Sequence, residues 1–129
     1  MMSEEQAVLT LNQAFYRAFE KKDLNAMATL WSQGSASLCI HPGRDVLKGW
    51  EAIYSSWEKI FRNTSYMEIE PEVIRVEVNG NLAYVVLVEN VLQVAGNRRV
   101  KARSMATNIF ERMGERWYLI HHHGSPLIN

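Results

Sequence analysis

The chain has 129 residues, 47% of them hydrophobic, so one domain spanning residues 1–129 with a real core is expected. Fourteen basic residues balance fourteen acidic ones, which leaves no electrostatic footprint for nucleic acid or an anionic membrane surface. No apolar run approaches the roughly 20 residues that span a bilayer, the acidic Met1–Gln6 start does not resemble a secretory signal, and the single Cys39 excludes an internal disulfide framework. A cytoplasmic protein is the expectation.

Ser3 followed by Gln6 is a capping box, and Val8, Leu11, Phe15 and Phe19 recur at helical spacing, so a first helix is predicted from about Glu4 to Lys21. Asp23 opens a second, shorter helix carrying Leu24, Met27, Leu30 and Trp31, ended by Gln33-Gly34-Ser35. Ser37–Ile40 reads as a short strand stopped at His41-Pro42-Gly43, because Pro42 cannot donate to a ladder. A third helix is predicted from about Gly49, with Trp50, Ile53, Trp57, Ile60 and Phe61 along its apolar stripe.

From about Tyr66 the period changes to that of strands. Glu72–Val78, Leu82–Ala95, Arg98–Arg112 and Glu115–His123 are predicted strands, joined by turns at Asn79-Gly80, Gly96-Asn97 and Met113-Gly114. Three helices followed by an antiparallel meander define an α+β domain. A strongly twisted sheet wrapped around the third helix gives a cone with a cavity.

Hairpin geometry then predicts who faces whom. A turn at Gly96-Asn97 sets Val91 opposite Ala102, Glu89 opposite Ser104 and Leu87 opposite Ala106. A tight turn at Met113-Gly114 sets Arg112 opposite Glu115, Asn108 opposite Leu119, Ala106 opposite His121 and Ser104 opposite His123. Glu89 and His123 then flank Ser104 on the cavity face, a carboxylate and an imidazole placed to tune one another. A one-residue bulge would reverse part of that set. The opposite face carries Tyr84, Val86, Val88, Asn90, Arg103, Ile109 and Ile120. Such an apolar patch predicts a homodimer interface, with His122 in it.

The chain resembles the nuclear transport factor 2-like superfamily and, within it, small SnoaL-like and ketosteroid isomerase-like proteins. The resemblance covers nearly the whole chain. It is carried by Phe15-Tyr16-Arg17-Ala18-Phe19, Asp23-Leu24, Leu30-Trp31, Cys39-Ile40-His41-Pro42-Gly43, Ser56-Trp57, Ala106–Phe110 and His121–Pro126. It implies a cone-shaped curved antiparallel sheet packed on three N-terminal helices, the cystatin-like arrangement. It does not imply one activity, since this fold hosts isomerases, dehydratases, cyclases, hydrolases and non-catalytic modules. The steroid isomerase machinery carries over poorly. Its helix-one tyrosine corresponds to Phe15, with Tyr16 one residue away, and its basic aspartate corresponds to Cys39 or His41. The kinase association domain, another relative, lines its pocket with arginines where this chain has Glu89 and Asn108.

Each candidate has two readings. Glu89 interrupts an apolar strand, and such a carboxylate is costly unless paired: it either works in the pocket or makes a structural bond to Arg103 or a histidine. His41 is a pocket acid/base or a turn histidine, and His123 is a partner of Glu89 at the rim. His121 is a buried, satisfied imidazole or a pocket residue. Trp50 and Trp57 form an aromatic wall or ordinary core. Tyr16, Cys39, Ser104 and Asn108 complete the predicted ligand-binding set, with Cys39 equally read as structural. His121, His123 and Glu89 could together hold a metal, but a metal-free pocket without a cofactor is the expectation. The function expected is proton transfer, such as isomerisation or dehydration, on a small apolar or aromatic ligand, with Glu89 or His41 as base. The alternative is a non-catalytic dimerisation or ligand-binding module.

Overall fold

The computed structural model describes residues 2–128. Helix α1 spans Glu4–Lys21, and its first turn is closed by the Ser3–Gln6 capping box. Helix α2 spans Leu24–Leu30 under an Asp23 cap, and α3 spans Trp50–Asn63. The strands are β1 (Leu38–Ile40), β2 (Leu47–Lys48), β3 (Tyr66–Asn79), β4 (Leu82–Ala95), β5 (Arg98–Met113) and β6 (Arg116–Pro126). They form one six-stranded sheet in the order β2-β1-β6-β5-β4-β3.

Three helices on a curved sheet is the architecture expected from the sequence. The sheet is not wholly antiparallel, however. β1 joins β6 in parallel, pairing Leu38 with His121, Cys39 with His122 and Ile40 with His123. Three other features escaped the sequence pattern. Strand β2 is only two residues long, β3 starts six residues earlier than predicted, and Trp31 leaves α2 to bridge Leu119 of β6. Short pairings of this kind depend on partners distant in sequence and have no local period.

The core lies between the helices and the concave face of the sheet. Phe15, Tyr16, Trp31, Trp57, Leu87 and Leu119 are all buried there. Phe15 packs edge-on against Tyr16, Trp31 and Trp57 with ring centroids 4.8, 6.4 and 5.7 Å away. Such offset aromatic contacts add to the burial itself. Alternation along β4 turns Ala83, Val85, Leu87 and Glu89 to this face. Glu89 is thus carried into the interior by the same periodicity that buries its apolar neighbours.

Candidate functional site

The β4–β5 register is the predicted one, with Glu89 opposite Ser104 and Leu87 opposite Ala106. The β5–β6 register is not. Met113 pairs with Arg116 and Phe110 with Leu119, and a bulge then leaves Ile120 unpaired before Ile109 meets His121. Beyond that bulge every side chain of β6 changes face. Asn108 stands opposite His122, not Leu119. His122 therefore points into the protein and is 1% exposed. His123 is exposed, and His121 is half-buried beside it, ring centroids 6.2 Å apart. The expected Glu89–His123 pair does not exist: the imidazole beside Glu89 belongs to His122.

A connected group of buried polar side chains results. The Tyr16 hydroxyl donates to Glu89 Oε2 at 2.6 Å. Asn108 Nδ2 donates to the Tyr16 hydroxyl at 3.1 Å and to Asn12 Oδ1 at 2.8 Å. Asn108 Oδ1 lies 2.6 Å from His122 Nδ1. His122 Nε2 is left 3.8 Å from Glu89 Oε2, beyond a direct hydrogen bond. Glu89 Oε1 lies toward Gly124, and among the described residues no hydrogen bond reaches it.

Glu89 and His122 sit at the inner end of a cavity of about 620 Å³. Its apolar walls come from Phe19, Leu47, Ile60, Met67 and Val91; His41, Ser56, Gln93 and Ser104 add polar atoms, and Arg44, Asp45, Lys59 and Arg103 add charged ones. A larger, more open hollow of about 990 Å³ lies over Arg17, Glu20, Glu68 and Lys101, and it contains neither His41 nor Glu89. Ligand sites combine apolar walls with a few convergent polar groups, which favours the smaller cavity.

His41, at the end of β1, meets the Ser56 hydroxyl through Nε2 at 3.0 Å. The Ser56 hydroxyl itself donates to the Ile53 carbonyl at 2.8 Å. Its hydrogen is therefore spent, and it can only accept from His41. Trp57 covers the His41 ring edge-on at 4.9 Å. Trp57 is fully buried and also packs against Phe19 and His122, while Trp50 packs at a tilt against Trp31 and edge-on against Tyr54. Neither tryptophan lines the cavity. Cys39 is equally buried, 3.7 Å from His41 Nε2, and Tyr16 and Asn108 lie behind the cavity floor. Asn12 and His122 were missed by sequence reasoning. The helical spacing of Asn12 to Tyr16 is visible in the sequence, whereas the bulge that selects His122 carries no turn residue.

Burial controls the electrostatics. It pushes the Glu89 carboxyl up to about 7, against the opposing pull of the Tyr16 hydrogen bond. It holds His122 down to about 3, reinforced by His41, His121 and His123, and His41 down to about 4, reinforced by Arg44. Both imidazoles are therefore neutral acceptor–donor groups at pH 7, and the Glu89–His122 contact is not an ion pair. The Tyr16 hydroxyl and Cys39 thiol are raised by burial and then by Glu89, so both keep their protons. A carboxyl poised near neutrality at the inner end of a partly open cavity can accept and return a proton. Among the described residues no group of three or more His, Cys, Asp or Glu side chains could hold a metal ion.

The model of the SnoaL-like domain matches residues 8–129. Among solved structures, the chain is similar to a protein of the NTF2-like family from Streptomyces avermitilis provisionally classed as a dehydratase. The two are 32% identical, with a TM-score of 0.89 over 98% of this chain and 97% of that one. It is also similar to a domain from Thiobacillus denitrificans provisionally classed as an association domain of calcium/calmodulin-dependent protein kinase type II. That match is 25% identical, with a TM-score of 0.78 over 93% of this chain and 94% of that one. A curated relative, the F-box protein SKIP8 of Arabidopsis thaliana, is 26% identical over 95% of this chain. The chain spans about half the length of that relative, 50%.

Proposed function

Because the chain belongs to the SnoaL-like domain family of the nuclear transport factor 2-like superfamily, we propose that it is a small-molecule pocket protein that transfers protons on a mostly apolar ligand. The single observation that carries this reading is Glu89, a carboxyl with a free oxygen at the inner end of an otherwise largely apolar cavity. Isomerisation or dehydration fits such a group. In an isomerisation Glu89 removes a proton from carbon and returns it to another carbon. In a dehydration the pair left by that C–H bond forms the double bond, and the departing hydroxyl takes the proton from Glu89 to leave as water. The likeness to a protein provisionally classed as a dehydratase supports the second form. His41 contributes a neutral imidazole on the cavity wall, and Ser104 a hydroxyl across from Glu89.

The test is to crystallise the untreated protein, release any co-purified molecule, and identify it by mass spectrometry. An apolar molecule lying against Glu89, converted by the protein and converted about 10²–10⁴-fold more slowly by Glu89→Gln, is the expected result. A cavity closed on its own side chains, with no molecule inside, would end the catalytic reading.

A second reading has its own support. The convex face of the sheet exposes Tyr84 beside Val86, Val88, Met105 and Ile109, and one relative is provisionally classed as an association domain. On this reading the domain pairs with a second copy through that face, and the pocket binds without chemistry. No described helix is long and apolar enough to cross a membrane. A cytoplasmic location remains part of this proposal.

A further inference from the structure

The direction of each hydrogen bond under the cavity floor follows from one charge. An ionised carboxylate only accepts. The Tyr16 hydroxyl, 2.6 Å from Glu89 Oε2, must therefore spend its one hydrogen on Glu89. Its oxygen then has only lone pairs for Asn108, so the Asn108 atom 3.1 Å away is the NH₂ nitrogen. The second hydrogen of that nitrogen goes to Asn12 Oδ1 at 2.8 Å. The amide oxygen of Asn108 is thereby turned to His122, and Nδ1 of His122, 2.6 Å away, must carry the ring hydrogen. Nε2, the nitrogen that faces Glu89, is left with a lone pair. Glu89 and His122 are not hydrogen-bonded to one another, yet the state of one dictates the tautomer of the other through Tyr16 and Asn108.

Resting on the pocket reading above, we propose that Asn108 is a positioning residue that makes the cavity floor a surface of acceptors, and that the buried end of the ligand is a hydrogen-bond donor. The chemical class is an alcohol or an amine on an apolar skeleton. Two lone-pair carriers, Glu89 and His122 Nε2, face one another across 3.8 Å with no hydrogen between them. A hydroxyl or ammonium group supplies it. A carbonyl there meets only repulsion, because the Tyr16 hydrogen is already committed to Glu89. Ser104 is the adaptable neighbour, since a hydroxyl donates or accepts, and it does not select between them. Asn108 itself is fully buried and does not line the cavity, so its effect on a ligand passes through the other two side chains.

Two measurements at pH 8.5, with Glu89 ionised, test this. Long-range ¹H–¹⁵N NMR on histidine-labelled protein reads the tautomer directly: the hydrogen is expected on His122 Nδ1, and finding it on Nε2 would overturn the inference without any variant. Calorimetric titration with four probes of one skeleton, indan-1-ol, 1-aminoindane, indan-1-one and 1-methoxyindane, reads the ligand class. The alcohol or the amine is expected to bind about tenfold tighter than the ketone and the ether. Asn108→Leu is expected to shrink that preference to about twofold, and Tyr16→Phe serves the same purpose if that variant does not fold. Tighter binding of the amine than of the alcohol identifies an ammonium paired with Glu89. A ketone that binds as tightly as the alcohol overturns the donor rule while leaving the pocket intact. If none of the four binds, the small-molecule reading itself fails and this inference falls with it.

Discussion

Glu89 shows how a single side chain acquires a function from its surroundings. Its folded-state carboxyl, raised to about 7 from 4.5, holds a proton between those values that the unfolded chain has released. Its stabilising contribution is thus present below pH 4.5 and is lost as pH rises through about 7, worth about 3 kcal/mol in all. The buried histidines act oppositely. His122 and His41, depressed to about 3 and about 4, resist a proton that the unfolded chain takes up below 6.5, so they cost stability as pH falls. Gln at position 89 cannot titrate. Urea denaturation at pH 4.5 and pH 8 should therefore show Glu89→Gln gaining about 3 kcal/mol on the parent chain between the two. Parallel pH profiles for the two proteins would mean that the carboxyl is not desolvated. The burial of Glu89 and its place opposite Ser104 could be read from strand alternation and the Gly96-Asn97 turn. Its true neighbours, Tyr16 and His122, could not, because one comes from a helix 73 positions away and the other from beyond a bulge.

Among the elements, α1 illustrates a local rule that the structure reproduces in detail. Ser3 accepts from the Gln6 amide at 3.1 Å, and Ser3→Ala should cost about 1 kcal/mol in thermal or chemical denaturation. Strand β6 illustrates the opposite case. Alternation read from Trp117 onward assigns His121 and His123 to the interior, but the extra residue at Ile120 exchanges them for His122 and Gly124. Gly124 then lies against Pro42 in the loop after β1. A side chain there would begin 3.0 Å from Pro42 Cγ and 3.5 Å from Glu89 Oε1. Gly124→Val is expected to push the His41–Arg44 turn outward, at a cost of about 1–3 kcal/mol, and to shift the Glu89 titration followed by ¹³C NMR. An unchanged titration would place the added methyls elsewhere.

For the molecule as a whole, the sheet has two faces with different fates. The concave face is filled by α1 and α3 and retains the cavity. The convex face keeps an apolar centre around Tyr84, Val86 and Ile109, bordered by His121 and His123. If that centre joins two copies, Val86→Asp should yield monomers in sedimentation equilibrium where the parent chain sediments as a dimer. A parent chain that is monomeric at high micromolar concentration would remove the pairing proposal.

The three helices, strands β1, β4, β5 and β6, the hairpin turns and the β4–β5 register follow from the sequence by itself, because each depends on periodicity, caps or turn residues only a few positions apart, and the superfamily follows from a resemblance carried by residues spread along the whole chain. The tertiary structure alone decided which histidine reaches Glu89, that β1 joins β6 in parallel, and that the tryptophans fill the core and leave the cavity to smaller side chains. The physical reason is common to all three. Each is settled by packing between segments far apart in the chain, and a single unpaired residue in β6, Ile120, is enough to exchange one face of a strand for the other.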